Sequence, residues 1–156
     1  MKTQTFLDSR EIKLADPDAT LALGARLGAQ LARGDVVCLS GGLGAGKTTL
    51  ARGAIAAWTG DVQEAPSPTY ILVETYEGAR GQLWHVDLYR LKGAEEAREL
   101  GLEDAFADAA CLIEWPERLG GALPRDRLDI ALEIAGEGRR ATLSGRGKWG
   151  ARVGSI

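Results

Sequence analysis

The sequence predicts an α/β fold, with a sheet that is parallel in its middle and is flanked by antiparallel strands and hairpins. Short continuous apolar runs at 36–39 and 110–114 suit strands that are buried on both faces of a sheet. Helix-like segments stand between runs of this kind. Glycine-containing turns at 78–81 and 136–138 each join two strand-like runs, which indicates two hairpins.

The first part of the chain predicts a helix, a buried strand and a second helix. Asp16 followed by Pro17 is a typical helix start, because a carboxylate can cap the first turn and proline is tolerated at the first helical position. Leucines then recur every four residues, and we expect Gly34 to end this helix. The apolar run 36–39 enters a glycine-rich loop, after which a second helix is expected over 47–58.

The second part predicts two hairpins with a helix and the buried run 110–114 between them. Runs typical of strands at 70–76 and 82–87 flank the first hairpin turn, and 94–100 is helical in pattern. Two further strands flank the second turn, at 128–134 and 140–143.

Composition favours a soluble cytoplasmic protein. The 156 residues are 45% hydrophobic and 26% charged, and no linker divides them, so we expect one domain over 1–156. No apolar run approaches the roughly 18 residues of a membrane span, and the N-terminus lacks the pattern of a secretory signal. The chain has one histidine, so a zinc site is not expected. Its two cysteines, Cys38 and Cys111, lie in apolar runs and are interpreted as reduced core residues.

The charge is distributed unevenly. A net charge of −3 disfavours bulk binding to nucleic acid. However, no acidic residue follows Glu137, so the segment 139–156 carries +5 and the remaining residues −8. Two interpretations of this basic C-terminal tail stay open, a solvated and partly disordered end or a contact surface for RNA or an acidic partner. Its basic residues are Arg139, Arg140, Arg146, Lys148 and Arg152.

A phosphate-binding loop is predicted at 41–48, which matches G-x-x-x-x-G-K-[ST] at every fixed position and lies between a predicted strand and a predicted helix. Glycines permit positive φ, so successive N–H groups can turn toward a phosphate. The following helix directs the positive end of its dipole at the same anion. Lys47 would reach the β- and γ-phosphates, and the Thr48 hydroxyl would bind Mg²⁺. The expected nucleotide-binding residues are Gly42, Leu43, Gly44, Ala45, Gly46, Lys47, Thr48 and Thr49.

Two acids are candidates for holding the metal and for the hydrolytic step. Asp87 ends the predicted strand 82–87 and Glu114 ends the run 110–114. Ligand sites of α/β sheets lie at such strand ends, and either acid resembles the second-strand acid of a P-loop nucleotidase. For His85, on the same strand as Asp87, a packed or hydrogen-bonded structural role is favoured over catalysis.

Two further features lie near these candidates. The turn 66–70, which prolines restrict, is either a loop stiffener or a switch in which Ser67 or Thr69 responds to the γ-phosphate and Mg²⁺. Trp115, directly after Glu114, is either a core residue or a wall of the nucleotide pocket. No Asn/Thr-Lys-x-Asp tetrapeptide occurs, which favours ATP over GTP.

Four segments, in this order and at these intervals, closely resemble the TsaE (YjeE) family, the bacterial ATPases of tRNA threonylcarbamoyladenosine (t6A) synthesis. They are 41–50, 67–70, 85–91 and 113–116, and the resemblance extends over roughly 15–135. It implies a P-loop NTPase fold that binds ATP or ADP with Mg²⁺. It also implies a weak ATPase that works with TsaB and TsaD, that these partners activate, and that meets tRNA indirectly through the complex.

The resemblance also implies roles for single residues. It makes Lys47 and Thr48 phosphate and Mg²⁺ residues, Glu114 the metal-binding carboxylate, Asp87 the acid of His-x-Asp-Leu-Tyr-Arg, and Thr69 part of the switch-like turn. One departure is Gly42, because family loops usually carry an acid there. The phosphate cradle needs no side chain at this position, but any role of that acid in hydrolysis or partner contact does not carry over.

Two other functions stay open. A small-molecule P-loop kinase would need an arginine-rich lid, for which 125–127 is a poor candidate. A nucleotide-gated interaction module with negligible hydrolysis would need only the phosphate loop. Nothing in the spacing chooses an activating arginine among Arg52, Arg90 and Arg118.

Overall fold

The computed structural model describes residues 8–42, 44–60 and 73–156. Within these residues the strands are β1 Asp8–Leu14, β2 Val36–Ser40, β3 Val73–Gly78, β4 Gly81–Asp87, β5 Ala110–Glu114, β6 Arg127–Ala135 and β7 Gly138–Arg146. The helices are α1 Pro17–Gln30, α2 Lys47–Thr59, α3 Ala94–Glu99 and α4 Leu102–Asp108, with 3-10 helices at Pro116–Ala122, Gly147–Ala151 and Val153–Ser155. None of the described helices has the length and apolar character that a membrane crossing requires.

All seven strands form one sheet in the order β1-β7-β6-β2-β5-β4-β3. The four central strands β6, β2, β5 and β4 are parallel to their neighbours in that group. Antiparallel pairs extend the sheet on both sides, β6 with β7 and β7 with β1 at one side, and β4 with β3 at the other. The predicted α/β fold, parallel in its middle with antiparallel additions, is confirmed.

Helices cover both faces of the sheet. On β2, Val37 and Leu39 pack with α1 and α2, whereas Val36 and Cys38 pack in a second cluster with α3 and α4. This division follows from the two-residue alternation of side chains along a strand. Because β2, β4 and β5 are parallel, their carboxyl ends meet at one edge of the sheet, where α2 begins.

Helices α1 and α2 touch backbone to backbone. A side chain at Gly24 would lie inside van der Waals contact of the Leu50 carbonyl oxygen, and one at Gly28 would meet the Ala54 carbonyl oxygen in the same way. Glycine is therefore required on this face of α1, and the close approach fixes α2 against its neighbour.

The start of α1 is as predicted, but its end is not. The Asp16 side chain accepts a hydrogen bond from the backbone of the first turn at 2.8 Å. The helix stops at Gln30, so the expected end at Gly34 is wrong. Arg80, from the β3–β4 turn, donates to three carbonyls at the end of α1, and its guanidinium stacks on Trp58. The Arg80 side chain thus satisfies backbone carbonyls at the end of α1, and the helix ends before Gly34.

The predicted hairpins are present. Residues 79–80 connect β3 and β4, and the pair β6–β7 is longer at both ends than expected. The predicted strand at 70–76 is described from Val73 onward, and 70–72 lie outside the described residues. Helix α4 was not predicted.

The two cysteines lie in the core, on β2 and β5, and neither is bonded to the other. Burial raises the pKa of both the Cys38 and the Cys111 thiol to about 12. Their interpretation as reduced core residues is confirmed.

The basic segment 139–156 is folded, so the interpretation as a partly disordered tail is corrected. It contributes most of β7 and the last two 3-10 helices, and Ile156 is buried. Three of its basic side chains pair with acids of the same chain, which leaves less positive charge for a partner than the sequence suggested. The pairs are Arg140 with Glu133, Arg146 with Asp129, and Arg152 with Asp35.

Candidate nucleotide site

The loop between β2 and α2 follows a path that glycine permits. Gly41 has φ +141°, Gly44 has φ +79° and Gly46 has φ +104°. These values lie in the region that other residues rarely adopt, and a side chain at Gly41 would also collide with the carbonyl oxygen of Leu132. Leu43, the remaining predicted loop residue, lies outside the described residues.

The start of α2 has the features of an anion site. Gly46 precedes the first turn without a side-chain cap from the described residues, and that turn contains no acid. Thr48 and Thr49 are half-buried in the same turn. The first N–H groups of a helix have no partner within it, and the helix dipole places partial positive charge there. A phosphate group is the natural ligand for such a helix end behind a glycine-rich loop.

Lys47 is held between the loop and an aromatic ring. It is 6% exposed, its Nζ donates to the Gly41 carbonyl oxygen at 2.8 Å, and Nζ lies 3.9 Å from the ring centroid of Trp115. Trp115 is half-buried, adopts φ 60° and packs against the Tyr89 ring. Trp115 therefore lies at the edge of the phosphate loop, although it also packs against the core cluster of α3 and α4.

The two predicted acids are neighbours. Asp87 on β4 and Glu114 on β5 are register partners, at the ends of adjacent parallel strands. Glu114 is 4% exposed and Asp87 is half-buried. Burial raises the pKa of Asp87 above its ordinary value, and the Glu114 charge adds to that rise. A hydrogen bond from the Tyr89 N–H at 2.9 Å and the positive charge of Lys47 act in the opposite direction on this pKa.

His85 binds one of these acids directly. Its Nε2 lies 2.6 Å from Glu114 Oε2, and the imidazole is 1% exposed. His85 is hydrogen-bonded, as the sequence led us to expect, but its partner was not foreseen. That its role is structural and not catalytic stays a prediction. The usable signal was the two-residue spacing of His85 and Asp87, which puts both side chains on one face of β4.

A cavity of about 190 Å³ is lined in part by Gly44 and Gly46 of the loop. It is bounded by the start of α1 at Asp16 and Thr20, by Thr49 of α2, and by the β6–β7 hairpin at Glu137 and Arg139. Its walls offer carboxylate, hydroxyl and guanidinium groups next to the phosphate loop. A polar ligand that continues from a bound phosphate would fit these walls.

Arg139 connects the hairpin to the loop. Its Nη2 donates to the Gly44 carbonyl oxygen at 3.0 Å, and its Nη1 donates to the Gly138 carbonyl oxygen. Sequence reasoning missed this contact, because it assigned Arg139 to the basic tail. No local signal marks it, since Gly44 and Arg139 are 95 positions apart.

The structure thus brings Lys47, Trp115, Asp87 and Glu114 to one edge of the sheet. Ser67 and Thr69, the predicted switch residues, lie outside the described residues. Gly42 is exposed, and a side chain built there would meet no atom within 4 Å. The loop therefore has room for a side chain at this position.

No group of three or more His, Cys, Asp or Glu side chains in the described part of the chain could form a metal cage. Proteins bind Mg²⁺ through one or two carboxylates together with substrate phosphates and water, and Asp87 and Glu114 are two neighbouring carboxylates. Thr48, Asp87 and Glu114 offer the hard oxygen donors that such a site uses.

The sequence is similar to those of known proteins. A family model described as threonylcarbamoyl adenosine biosynthesis protein TsaE matches residues 14–142. Relatives named tRNA threonylcarbamoyladenosine biosynthesis protein TsaE include that of Rickettsia felis, 38% identical over 127 residues, which are 81% of this chain and 74% of the relative. That of Bacillus subtilis is 37% identical over 82% of this chain and 80% of its own. That of Mycobacterium tuberculosis is 44% identical over 73% of each chain.

A solved structure shows the same fold. The crystal structure of Bacillus subtilis YdiB superposes with a TM-score of 0.80 over 97% of this chain and 95% of the other, at 27% identity. Together with the unit of β2, glycine loop and α2, this similarity confirms the predicted P-loop NTPase fold.

Proposed function

The chain belongs to the TsaE family, and on that basis we propose that it is a Mg²⁺-dependent ATP-binding and ATP-hydrolysing protein of tRNA t6A synthesis. One observation carries the proposal beyond family membership. An uncapped helix start, a buried lysine and two strand-end carboxylates converge on one edge of the sheet. A phosphate-binding loop alone would be sufficient for any nucleotide-binding module, whereas acids beside the loop can also bind a metal ion and orient a water molecule.

The loop and Lys47 would bind the phosphates. Backbone N–H groups from Gly42 to Thr49, with Leu43 among them, would face the phosphate oxygens. Lys47 already points its ammonium group at the loop, at the Gly41 carbonyl oxygen. Exchanging that carbonyl for β- and γ-phosphate oxygens would replace a neutral acceptor with charged ones, which bind an ammonium group more strongly. The cavity beside Thr49 would receive the nucleoside, and ATP or ADP is the proposed ligand.

The metal would lie between Thr48 and the acids. Thr48, Glu114 and Asp87 would hold Mg²⁺, which supplies neutralisation of the phosphate charge when it is bound. Asp87, which stands beside Glu114 at the ends of adjacent strands, is also suited to orienting the attacking water. Ser67 and Thr69 remain the proposed switch, and Trp115 would form a wall of the pocket.

The proposed context is a cytoplasmic complex with TsaB and TsaD, through which the protein acts on tRNA. Hydrolysis by the protein alone is proposed to be slow and to rise in the complex. This proposal rests on the family and not on an observed surface. Positioning of water and stabilisation of charge are the steps that a partner could complete.

Phosphate release from ATP tests the proposal, measured with and without TsaB, TsaD and tRNA. We expect Mg²⁺-dependent release that increases in the complex and that Lys47→Ala abolishes, because the phosphates lose their buried cation. Lys92→Ala removes an exposed lysine outside the site and is the matched control, with unchanged release expected.

The same assay separates the alternatives. Transfer of the γ-phosphate to a metabolite instead of water would support a small-molecule kinase. Tight nucleotide binding without release, even in the assembled complex, would support a nucleotide-gated interaction module. Near-normal hydrolysis by Lys47→Ala would contradict the assignment of the loop.

A further inference from the structure

We infer that His85 is a positioning residue, whose imidazole holds the Glu114 carboxylate in the orientation that the proposed magnesium site needs. The inference rests on the proposed function, because the orientation of Glu114 matters to nucleotide chemistry only if this carboxylate binds the metal. It extends that function by giving a role in the site to a side chain that was expected to be structural.

Topology places His85 beside the site. Leu83 on β4 and Leu112 on β5 pack on the face that carries α2. Two-residue alternation along these parallel strands puts His85, Asp87 and Glu114 on that same face. The imidazole therefore lies two residues before Asp87 on β4, further from the carboxyl end of the strand. From there it can reach Glu114 without occupying the edge of the sheet where phosphate would bind.

Burial makes the hydrogen bond consequential. Both groups are almost completely removed from water, and a buried carboxylate without a partner is strongly disfavoured. An Nε2–H of the imidazole donates to Oε2 at 2.6 Å and satisfies that oxygen. One oxygen of Glu114 is thereby fixed, and Oε1 remains for the metal. Carboxylate ligands of metals are oriented by hydrogen bonds of this kind.

Only one ring nitrogen of His85 has a hydrogen-bond partner among the described residues, and that partner is Glu114. Nδ1 is buried without a hydrogen-bond partner in the part of the chain that the structure describes, and the Tyr76 hydroxyl on the neighbouring strand β3 is in the same condition. Here the contact with Glu114 is the hydrogen bond that orients the ring.

The first test uses the unmodified protein. His85 is the only histidine of the chain, so its ring nitrogens give a single set of NMR signals. We expect the Nε2–H tautomer in the free protein and a change of these signals when Mg²⁺ and ADP are added together, but not when ADP is added alone. An imidazole that carries its proton on Nδ1 would overturn the inference. So would NMR signals that do not change on addition of Mg²⁺, if ADP binding by the same protein depends on Mg²⁺.

The second test compares two substitutions of similar polarity. His85→Gln can place an amide N–H near the position of Nε2, whereas His85→Asn can place one only near Nδ1. Calorimetric titration with ADP at a series of Mg²⁺ concentrations gives the half-saturating Mg²⁺ concentration. We expect an increase on the order of tenfold or more for His85→Asn and a value near that of the unmodified protein for His85→Gln. ADP affinity without Mg²⁺ should be equal in all three proteins.

Glu114→Gln separates a failure of this inference from a failure of the proposed function. If Glu114→Gln leaves the Mg²⁺ dependence unchanged, the metal assignment of Glu114 fails, and the role of His85 fails with it. If Glu114→Gln loses that dependence while His85→Asn keeps it, only the positioning role is overturned. If His85 acts through Glu114, the double variant loses no more than Glu114→Gln alone.

Discussion

Arg139 supports the phosphate loop from a distant hairpin, and its removal should weaken nucleotide binding. In Arg139→Ala the loop loses the hydrogen bond from Nη2 to the Gly44 carbonyl oxygen, which is 3.0 Å long. Hydrogen bonds to charged groups contribute about 1.5–3 kcal/mol, and because this one is exposed to water we expect a contribution at or below the lower limit of that range. A loss of about 1–1.5 kcal/mol corresponds to a roughly five- to tenfold increase in the Kd for ADP.

Calorimetric titration with ADP and saturating Mg²⁺ measures this change. Arg140→Ala is the matched control, because Arg140 follows directly on β7 but pairs with Glu133 on the surface. We expect its Kd to stay within about twofold of the unmodified value, since exposed ion pairs contribute little. Arg139→Lys keeps the positive charge but lacks the two guanidinium N–H donors, so its Kd should lie between those of Arg139→Ala and Arg140→Ala. An unchanged Kd in Arg139→Ala, or an equal loss in Arg140→Ala, would refute the reasoning.

Three further predictions concern stability and reactivity. Asp87→Asn should raise the free energy of unfolding at pH 7, because burial raises the pKa of Asp87 and so disfavours its charged form. In urea titrations the gain in stability should shrink as the pH falls through that pKa, and a gain that stays constant with pH would contradict the prediction. Cys38 and Cys111 should resist a thiol reagent in the folded protein and react after unfolding, because burial holds the pKa of both thiols near 12. Rapid modification of the folded protein would contradict the burial of these two side chains. Arg80→Ala should lower the free energy of unfolding by about 2 kcal/mol, since three carbonyls at the end of α1 lose their donor. Arg33→Ala, which breaks an exposed ion pair, should change it by less than about 0.5 kcal/mol, and equal losses would refute the role of Arg80.

The unit of β2, loop and α2 could be predicted from the sequence because its signals are local. An apolar run, glycines and Lys47 follow one another within a few positions, and the observed α2, Lys47–Thr59, differs from the prediction by one residue. The end of α1 could not be predicted in this way. Gly34 is a typical stop signal, but the donor that satisfies the helix end is Arg80, far along the chain.

The candidate site could be predicted in part for the same reason. Asp87 and Glu114 stand at the ends of recognisable strands, so their place at the edge of the sheet follows from pattern and topology. The contacts of His85 with Glu114 and of Arg139 with Gly44 depend on which strands become neighbours and how a hairpin folds back. A local pattern does not show which strands or turns become neighbours, so both residues were assigned structural or peripheral roles.

The position of the phosphate loop in the sheet has a consequence for synthesis of the protein on the ribosome. The loop follows β2, whose Val37 pairs with Leu112 on one side and with Leu128 on the other. Both neighbours are made long after the loop itself, and β1 must wait for β7. A nascent chain that stops before residue 127 therefore holds the loop sequence without β6. Nucleotide can stabilise the folded state only after most of the chain has emerged, so the emerging protein must reach its central pairings without that help.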